Sequence, residues 1–218
     1  MPTPIYVFDA YGTLFDVHAA AARQRDEIGP TYERLSQTWR AKHLEYTWIH
    51  AQTGRATNFW TLTERSLDYA IAATGAVPAG VRDKLLVAYR RMAAFPEVPT
   101  VLAILKSKGV RLAILSNGDP DMLDEAVSAA GLAGMFEAVL SVSSVGTFKP
   151  AAAVYQLVHD RLGGTPGDVT FMSSNRWDIA GANVFGFDTV WVNRASLPDE
   201  YPDMPATRIT RDLNVLVA

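Results

Sequence analysis

An α/β fold, with a parallel sheet between helices and an all-helical segment inserted after its first strand, is predicted by three features of this 218-residue chain. The first is the stretch Ile5-Tyr6-Val7-Phe8-Asp9, a mostly apolar run that stops on a carboxylate, as a buried strand does when it reaches a sheet edge. The second is the region 16–95, which carries helical periodicity and almost no strand signal. The third is the alternation, from Val98 onward, of helical patterns with short β-rich runs, the arrangement of a parallel sheet covered by helices.

Taken in order, the first strand runs into the turn Ala10-Tyr11-Gly12-Thr13-Leu14-Phe15. In the inserted stretch Tyr32, Leu35, Trp39, Tyr46 and Ile49 recur at helical spacing. Phe59, Leu62, Ser66 and Ala70 do the same, followed by Leu85, Tyr89 and Met92, so a helical bundle is expected. Beyond Val98 come a helix closing on Gly109, the strand "VRLAILSNG" and a helix over about 120–130, where Pro120 suits the first helical position and Asp119 a cap. The strand "FEAVLSV", a helix over about 150–162, the strand "DVTFMSS", a helix after Asp178 and the strand "TVWVNR" complete the pattern. The Pro-bearing "SLPDEYPDMPATR" reads as an ordered loop before a short terminal element. Residues 1–15 and 96–218 would then form a Rossmann-like core, and 16–95 a helical cap.

Composition narrows the chemistry. The chain is 49% apolar and 20% charged, enough for a sizeable core, and no segment approaches the roughly 18 uninterrupted apolar residues of a membrane span. The first strand begins almost at the N-terminus, without room for a signal peptide, so the expected location is the cytoplasm, and no membrane partner is expected. The absence of cysteine leaves chemistry to oxygen and nitrogen side chains. A net charge of −3, with basic residues scattered among acidic ones, offers no face for a nucleic-acid backbone, so a small molecule is the expected partner. His18, His43, His50 and His159 show no ligand spacing and lie away from the strand ends, which argues against a histidine-centred metal site or triad.

Ligands of open parallel sheets bind outside the carboxyl ends of the strands. At those ends stand Asp9, then Ser116-Asn117-Gly118, then Lys149, then Ser173-Ser174-Asn175 with Asp178 behind them. Each has a plain structural reading, as a turn residue, a capping loop, a surface lysine or a helix-start carboxylate. Together and in this order they favour an active site. The four stretches "DAYGTLFD", "LSNGD", "KP" before a helix and "SSNRWD" are similar to the signature segments of the haloacid dehalogenase superfamily, and within it the chain most resembles the (S)-2-haloacid dehalogenases.

Phosphatases of that superfamily use a second aspartate, two positions after the nucleophile, to protonate the leaving alkoxide, and Mg²⁺ to offset the phosphoryl charge. Tyr11 stands in that second place, and the fourth segment keeps Asp178 as its only carboxylate. A halide departs as a stable anion and needs neither proton nor metal. Carboxylate displacement at carbon, followed by hydrolysis of the ester at the Asp9 carbonyl, therefore survives these losses.

The reading makes Asp9 the nucleophile and sets Lys149 as a cation against it, with Gly12 shaping the turn. The loop N–H groups around Ser116 and Asn117 would hold the substrate carboxylate. The resemblance implies a Thr13 hydroxyl bonded to Asp9, and an Asp178 that positions Lys149 or the attacking water with Ser173 and Asn175 nearby. It also implies an Arg40 that serves as halide or carboxylate partner. Tyr155 matches a hydroxyl that the family carries near the site, and a buried core tyrosine explains it as well. Ala10, Tyr11, Leu44, Phe59 and Trp177 would contact the substrate, the last four as an apolar wall. Arg176 has no role on this reading and would either narrow the pocket or point to solvent. The expected activity is hydrolysis of a short (S)-2-haloalkanoate to the (R)-2-hydroxyacid, without metal or cofactor, in a homodimer. A Mg²⁺-dependent phosphatase of the same superfamily and a catalytically silent binding protein are the alternatives.

Overall fold

The structure, a computed structural model, describes residues 3–75 and 77–218. Six parallel strands form one sheet in the order β3-β2-β1-β4-β5-β6, with β1 at Ile5–Phe8, β2 at Arg111–Ser116, β3 at Ala138–Ser141, β4 at Val169–Ser173, β5 at Asp188–Val192 and β6 at Arg208–Thr210. β1 is central and pairs Phe8 with Ile114 on one side and with Met172 on the other. The inner strands are continuous apolar runs because helices cover both faces of such a sheet. Val7, Phe8, Ala113, Ile114, Leu115, Phe171 and Met172 are all fully buried.

Within the stretch 16–95 the described residues form five helices, α1 at Ala19–Arg23, α2 at Arg25–Ile28, α3 at Tyr32–Thr53, α4 at Phe59–Thr74 and α5 at Val81–Arg90. After them come α6 at Val98–Ser107, α7 at Pro120–Ala129, α8 at Ala152–Leu162 and α9 at Arg176–Phe185. The helical stripes expected at 59, 62, 66 and 70 and at 85, 89 and 92 are buried. The stripe on α3 differs. Ile49 is 56% exposed, and the buried face runs through Leu35, Ser36, Trp39, His43 and Thr47, so polar residues complete what the apolar pattern left unfinished.

Three expectations are corrected. Asp178 lies inside the first turn of α9 instead of ahead of the helix. Asp119 does not cap its own helix with its side chain; its two carboxylate oxygens accept from the backbone N–H groups of Phe59 and Trp60 at 3.1 and 2.8 Å, at the start of α4. The N-terminal N–H groups of α4 are orphan donors, and a carboxylate from another element satisfies two of them at once. Arg176 neither narrows a pocket nor faces solvent, since it is buried. Its guanidinium donates to Asp199 Oδ1 at 2.6 Å and to the carbonyls of Tyr201 and Met204, at 2.5 and 2.8 Å. It thereby fastens the Pro-bearing loop that leads into β6, a strand the sequence marked only as a short terminal element.

Asp119→Ala is expected to destabilise the protein by about 1–2 kcal/mol through loss of the α4 cap. Asp119→Asn, which keeps one acceptor, should lose less; urea unfolding of the three proteins measures the order.

Candidate active site

β1 has its neighbours β2 and β4 on opposite sides, so the chain reverses its direction of travel across the sheet here, and a crevice opens beyond the strand ends. The loop after β1 is tightly folded: the Ala10 carbonyl accepts from the N–H groups of Thr13, Leu14 and Phe15, at 3.3, 2.9 and 3.0 Å. Gly12 takes φ 93°, a region open to glycine at little steric cost. The turn brings the Thr13 hydroxyl back onto Asp9, where it donates to Oδ2 at 2.9 Å.

Asp9 is 5% exposed and its two oxygens differ. Oδ2 also accepts from the Asn175 amide at 2.8 Å and lies 3.5 Å from the Ser173 hydroxyl, whereas among the described residues Oδ1 accepts from Lys149 Nζ alone, at 3.1 Å. One oxygen is saturated with donors. The other keeps lone pairs for a new bond. The Lys149 ammonium also donates to Asp178 Oδ2 at 2.8 Å, and Asp178 Oδ1 accepts from the Tyr155 hydroxyl at 2.8 Å. Lys149, Tyr155 and Asp178 are fully buried, so Tyr155 is a core residue whose hydroxyl is bonded to Asp178.

Burial works against the Lys149 charge, but Asp178 and Asp9 outweigh it and hold its pKa above the ordinary value. Burial likewise raises the Asp178 carboxyl to about 6; Lys149 counters this, and the charge of Asp9 adds to it. The Nζ lies between the two carboxylates and bridges them. No group of three His, Cys, Asp or Glu that could hold a metal occurs among the described residues.

Arg40 comes from α3 to the same edge, donating to Asn175 Oδ1 at 2.9 Å and to the Tyr11 carbonyl at 3.2 Å. Asn175 thus joins the inserted helices to Asp9. Ser116 is buried with its hydroxyl accepting from Gly118 N–H at 3.1 Å, and Asn117 accepts from Lys149 N–H at 2.9 Å, so this loop braces the lysine. The four residues of the expected wall part into two pairs. Leu44 and Trp177 line an open cavity of about 680 Å³ together with Arg40, Gly12 and Asn175. Tyr11 and Phe59 are buried, their ring centroids 5.2 Å apart, and Tyr11 stacks on Tyr89 at 5.6 Å. Ala10 is buried beside Asp9 in the turn.

Two histidines lie closer to the site than their sequence positions suggest. His18 lines the cavity with Arg40, and His43 packs on Phe59, because α3 runs alongside the sheet edge. Arg194 is a neighbour of the site that the motifs do not include; it donates to the Thr13 carbonyl at 2.9 Å and pairs with Glu97 at 2.7 Å. Its position at the end of "TVWVNR", a fifth strand reaching the same edge, is the signal that could have found it.

Lys149→Met should cost about 3–5 kcal/mol of stability at neutral pH by leaving two buried carboxylates uncompensated. With the cation gone, a carboxyl whose folded pKa lies above its unfolded value gains stability as pH falls toward the unfolded pKa, so the deficit should shrink between pH 8 and pH 5. Denaturant titrations at the two pH values test this.

A haloacid dehalogenase-like hydrolase family model matches residues 3–186. The (S)-2-haloacid dehalogenase 4A of Burkholderia cepacia is 41% identical over 211 residues, which cover 96% of this chain and 91% of that protein. A crystal structure of a dehalogenase superposes with a TM-score of 0.96 at 40% identity, covering 99% of this chain and 96% of that one. The L-2-haloacid dehalogenase of Xanthobacter autotrophicus with chloropropionic acid covalently bound superposes with a TM-score of 0.87 at 36% identity, covering 98% and 96%. With an aspartate, a lysine and a second aspartate linked at the edge of a parallel sheet, and with likeness along nearly its whole length, the chain belongs to the haloacid dehalogenase-like hydrolases.

Proposed function

We propose that the protein hydrolyses short (S)-2-haloalkanoic acids to (R)-2-hydroxyacids and halide through an ester on Asp9. Residues 16–95 act as a cap over the core of 1–15 and 96–218. The observation that carries this reading is the state of Tyr11, at the place of a phosphatase's proton donor. Its ring is buried, and burial first, then Tyr89 and Asp119, hold its hydroxyl pKa well above that of an ordinary phenol. A site that withholds a proton from the leaving group favours one that departs as a stable anion.

In the first step Asp9 Oδ1 attacks C2 from the side opposite the halogen. The O–C bond forms as the C–X pair leaves with halide, and the centre inverts. Arg40 receives the substrate carboxylate or the departing halide, and Leu44, Phe59, Tyr11 and Trp177 exclude water from the carbon chain. In the second step water attacks Cγ of Asp9, and charge gathers on Oδ2, which already faces Thr13, Asn175 and Ser173. Donors in place before the charge develops lower the barrier without reorganisation. Asp178 takes a proton from the water. Collapse breaks the Cγ–Oδ1 bond, Lys149 protonates the departing oxygen, Asp178 returns its proton to Lys149, and the remaining proton is released as the Asp9 carboxylate re-forms. A cytoplasmic location and a homodimer complete the proposal; sedimentation of the purified protein tests the latter.

Halide release from (S)- but not (R)-2-chloropropionate, undiminished by excess chelator, is the expected result, with none from Asp9→Asn. Single turnover in ¹⁸O-water should label Asp9 before the product; label appearing first in the hydroxyacid would remove the ester route.

Asp178 must be ionised to accept the proton; burial raises its carboxyl to about 6 in the free protein, and the ester removes the Asp9 charge that adds to this, so hydrolysis of the ester should slow as pH falls from that value toward the ordinary carboxylate range. Single-turnover rates from neutral pH down into that range test this, and a rate level throughout would exclude Asp178 as the base.

A further inference from the structure

Arg40, His43 and Tyr89 line one small cavity with Val17, Ser36 and Trp39; its volume is about 10 Å³, the room of about one water and too little for a haloacid. We propose that His43 and Tyr89 are positioning residues that set the orientation of Arg40 toward the substrate. This rests on the reading that Arg40 binds the substrate anion or its halide.

The hydrogen-bond directions determine one another. The Thr63 hydroxyl donates its single proton to the Phe59 carbonyl at 2.9 Å, so toward His43 Nε2, 3.2 Å away, it can only accept. Nε2 therefore carries a proton. His43 is buried, and burial together with the nearby Arg40 pushes its pKa down to about 3, so the ring is neutral and Nδ1 is bare. Nδ1 lies 3.4 Å from the Tyr89 hydroxyl, which must donate to it. The phenol oxygen then keeps its lone pairs for the small cavity it shares with Arg40, whose positive charge favours that orientation. A cationic imidazole would donate from both nitrogens, turn the Tyr89 hydroxyl around and place like charge beside Arg40.

Packing holds these groups in place. Phe59 lies on the His43 ring at 4.2 Å, Trp39 lies 5.0 Å from Tyr89, and Tyr89 stacks on Tyr11 with 12° between the planes. Trp39 is itself anchored through its indole N–H to the Thr63 carbonyl at 3.0 Å. The chain of contacts runs from the α4 backbone through two rings to the cavity beside the guanidinium, which itself donates to Asn175 and the Tyr11 carbonyl.

The test uses kcat and KM for (S)-2-chloropropionate, with the thermal midpoint of every variant recorded. Tyr89→Phe keeps the ring and its stacking but deletes the hydroxyl; kcat/KM should fall about tenfold, the order of losing one polar group that faces a charge. The same change in an Arg40→Lys background should cost less than twofold, since the two residues act through one contact. His43→Leu should behave like Tyr89→Phe, whereas His43→Gln, which can donate to Thr63 and accept from Tyr89, should recover most of the loss. An unchanged Tyr89→Phe, a full tenfold loss in the Arg40→Lys background, or equal losses for His43→Leu and His43→Gln would each overturn the assignment. Should Tyr89→Phe fail to fold, the two His43 variants decide alone. Wild-type protein that releases no halide would instead remove the functional reading on which the assignment rests.

Discussion

A fully buried ammonium held between two carboxylates is the constraint on which the rest of this molecule depends. Lys149 Nζ lies 3.1 Å from Asp9 and 2.8 Å from Asp178, with both carboxylates nearly or wholly removed from water. Taking three charges out of solvent is costly, and their attraction offsets that cost only if the geometry is good and the remaining lone pairs find donors. The surrounding residues meet that condition. Tyr155 takes the free oxygen of Asp178, Thr13 and Asn175 take Oδ2 of Asp9, and Asn117 fixes the backbone of Lys149. Oδ1 of Asp9, bonded among the described residues to Lys149 alone, is left with spare lone pairs, and the proposed mechanism makes it the attacking atom.

The parallel sheet makes this arrangement possible. Side chains from three separate loops converge because β1 sits between β2 and β4, and the register that pairs Phe8 with Met172 sets Asp9 beside the start of the fourth segment. The inserted helices bring a second cation, Arg40, and apolar side chains such as Leu44 to that edge. Asp119 ties the two parts together from the core side, by closing the N-terminus of α4 with a carboxylate that belongs to the loop after β2.

Much of this is legible in the sequence, for identifiable reasons. Strands β1 to β5 announce themselves because burial on both faces demands apolar runs, and Asp9, Lys149, Asn175 and Asp178 stand out as polar groups where such runs stop. His43 is not legible as a partner of the site. On α3 the buried face includes Ser36, His43 and Thr47, and a periodicity counted in apolar residues alone passes over them. Asp119 misleads because a carboxylate before a proline looks like a local cap, and a sequence does not show a helix N-terminus arriving from sixty residues away. Arg176 resists explanation for the same reason: its partners, at 199–204, are distant in the chain, and β6 is too short and too polar to register as a strand.

The single amide of Asn175 faces two ways, with its nitrogen on the nucleophile and its oxygen on a guanidinium carried by α3. If that helix withdraws from the sheet edge to admit or discharge a ligand, only the oxygen side loses its partner, and Asp9 keeps every donor it has. Thr13, Asn175 and Lys149 would then still hold the two oxygens of Asp9, and the returning helical part would have to regain both the Arg40 contacts and the Asp119 bonds to α4.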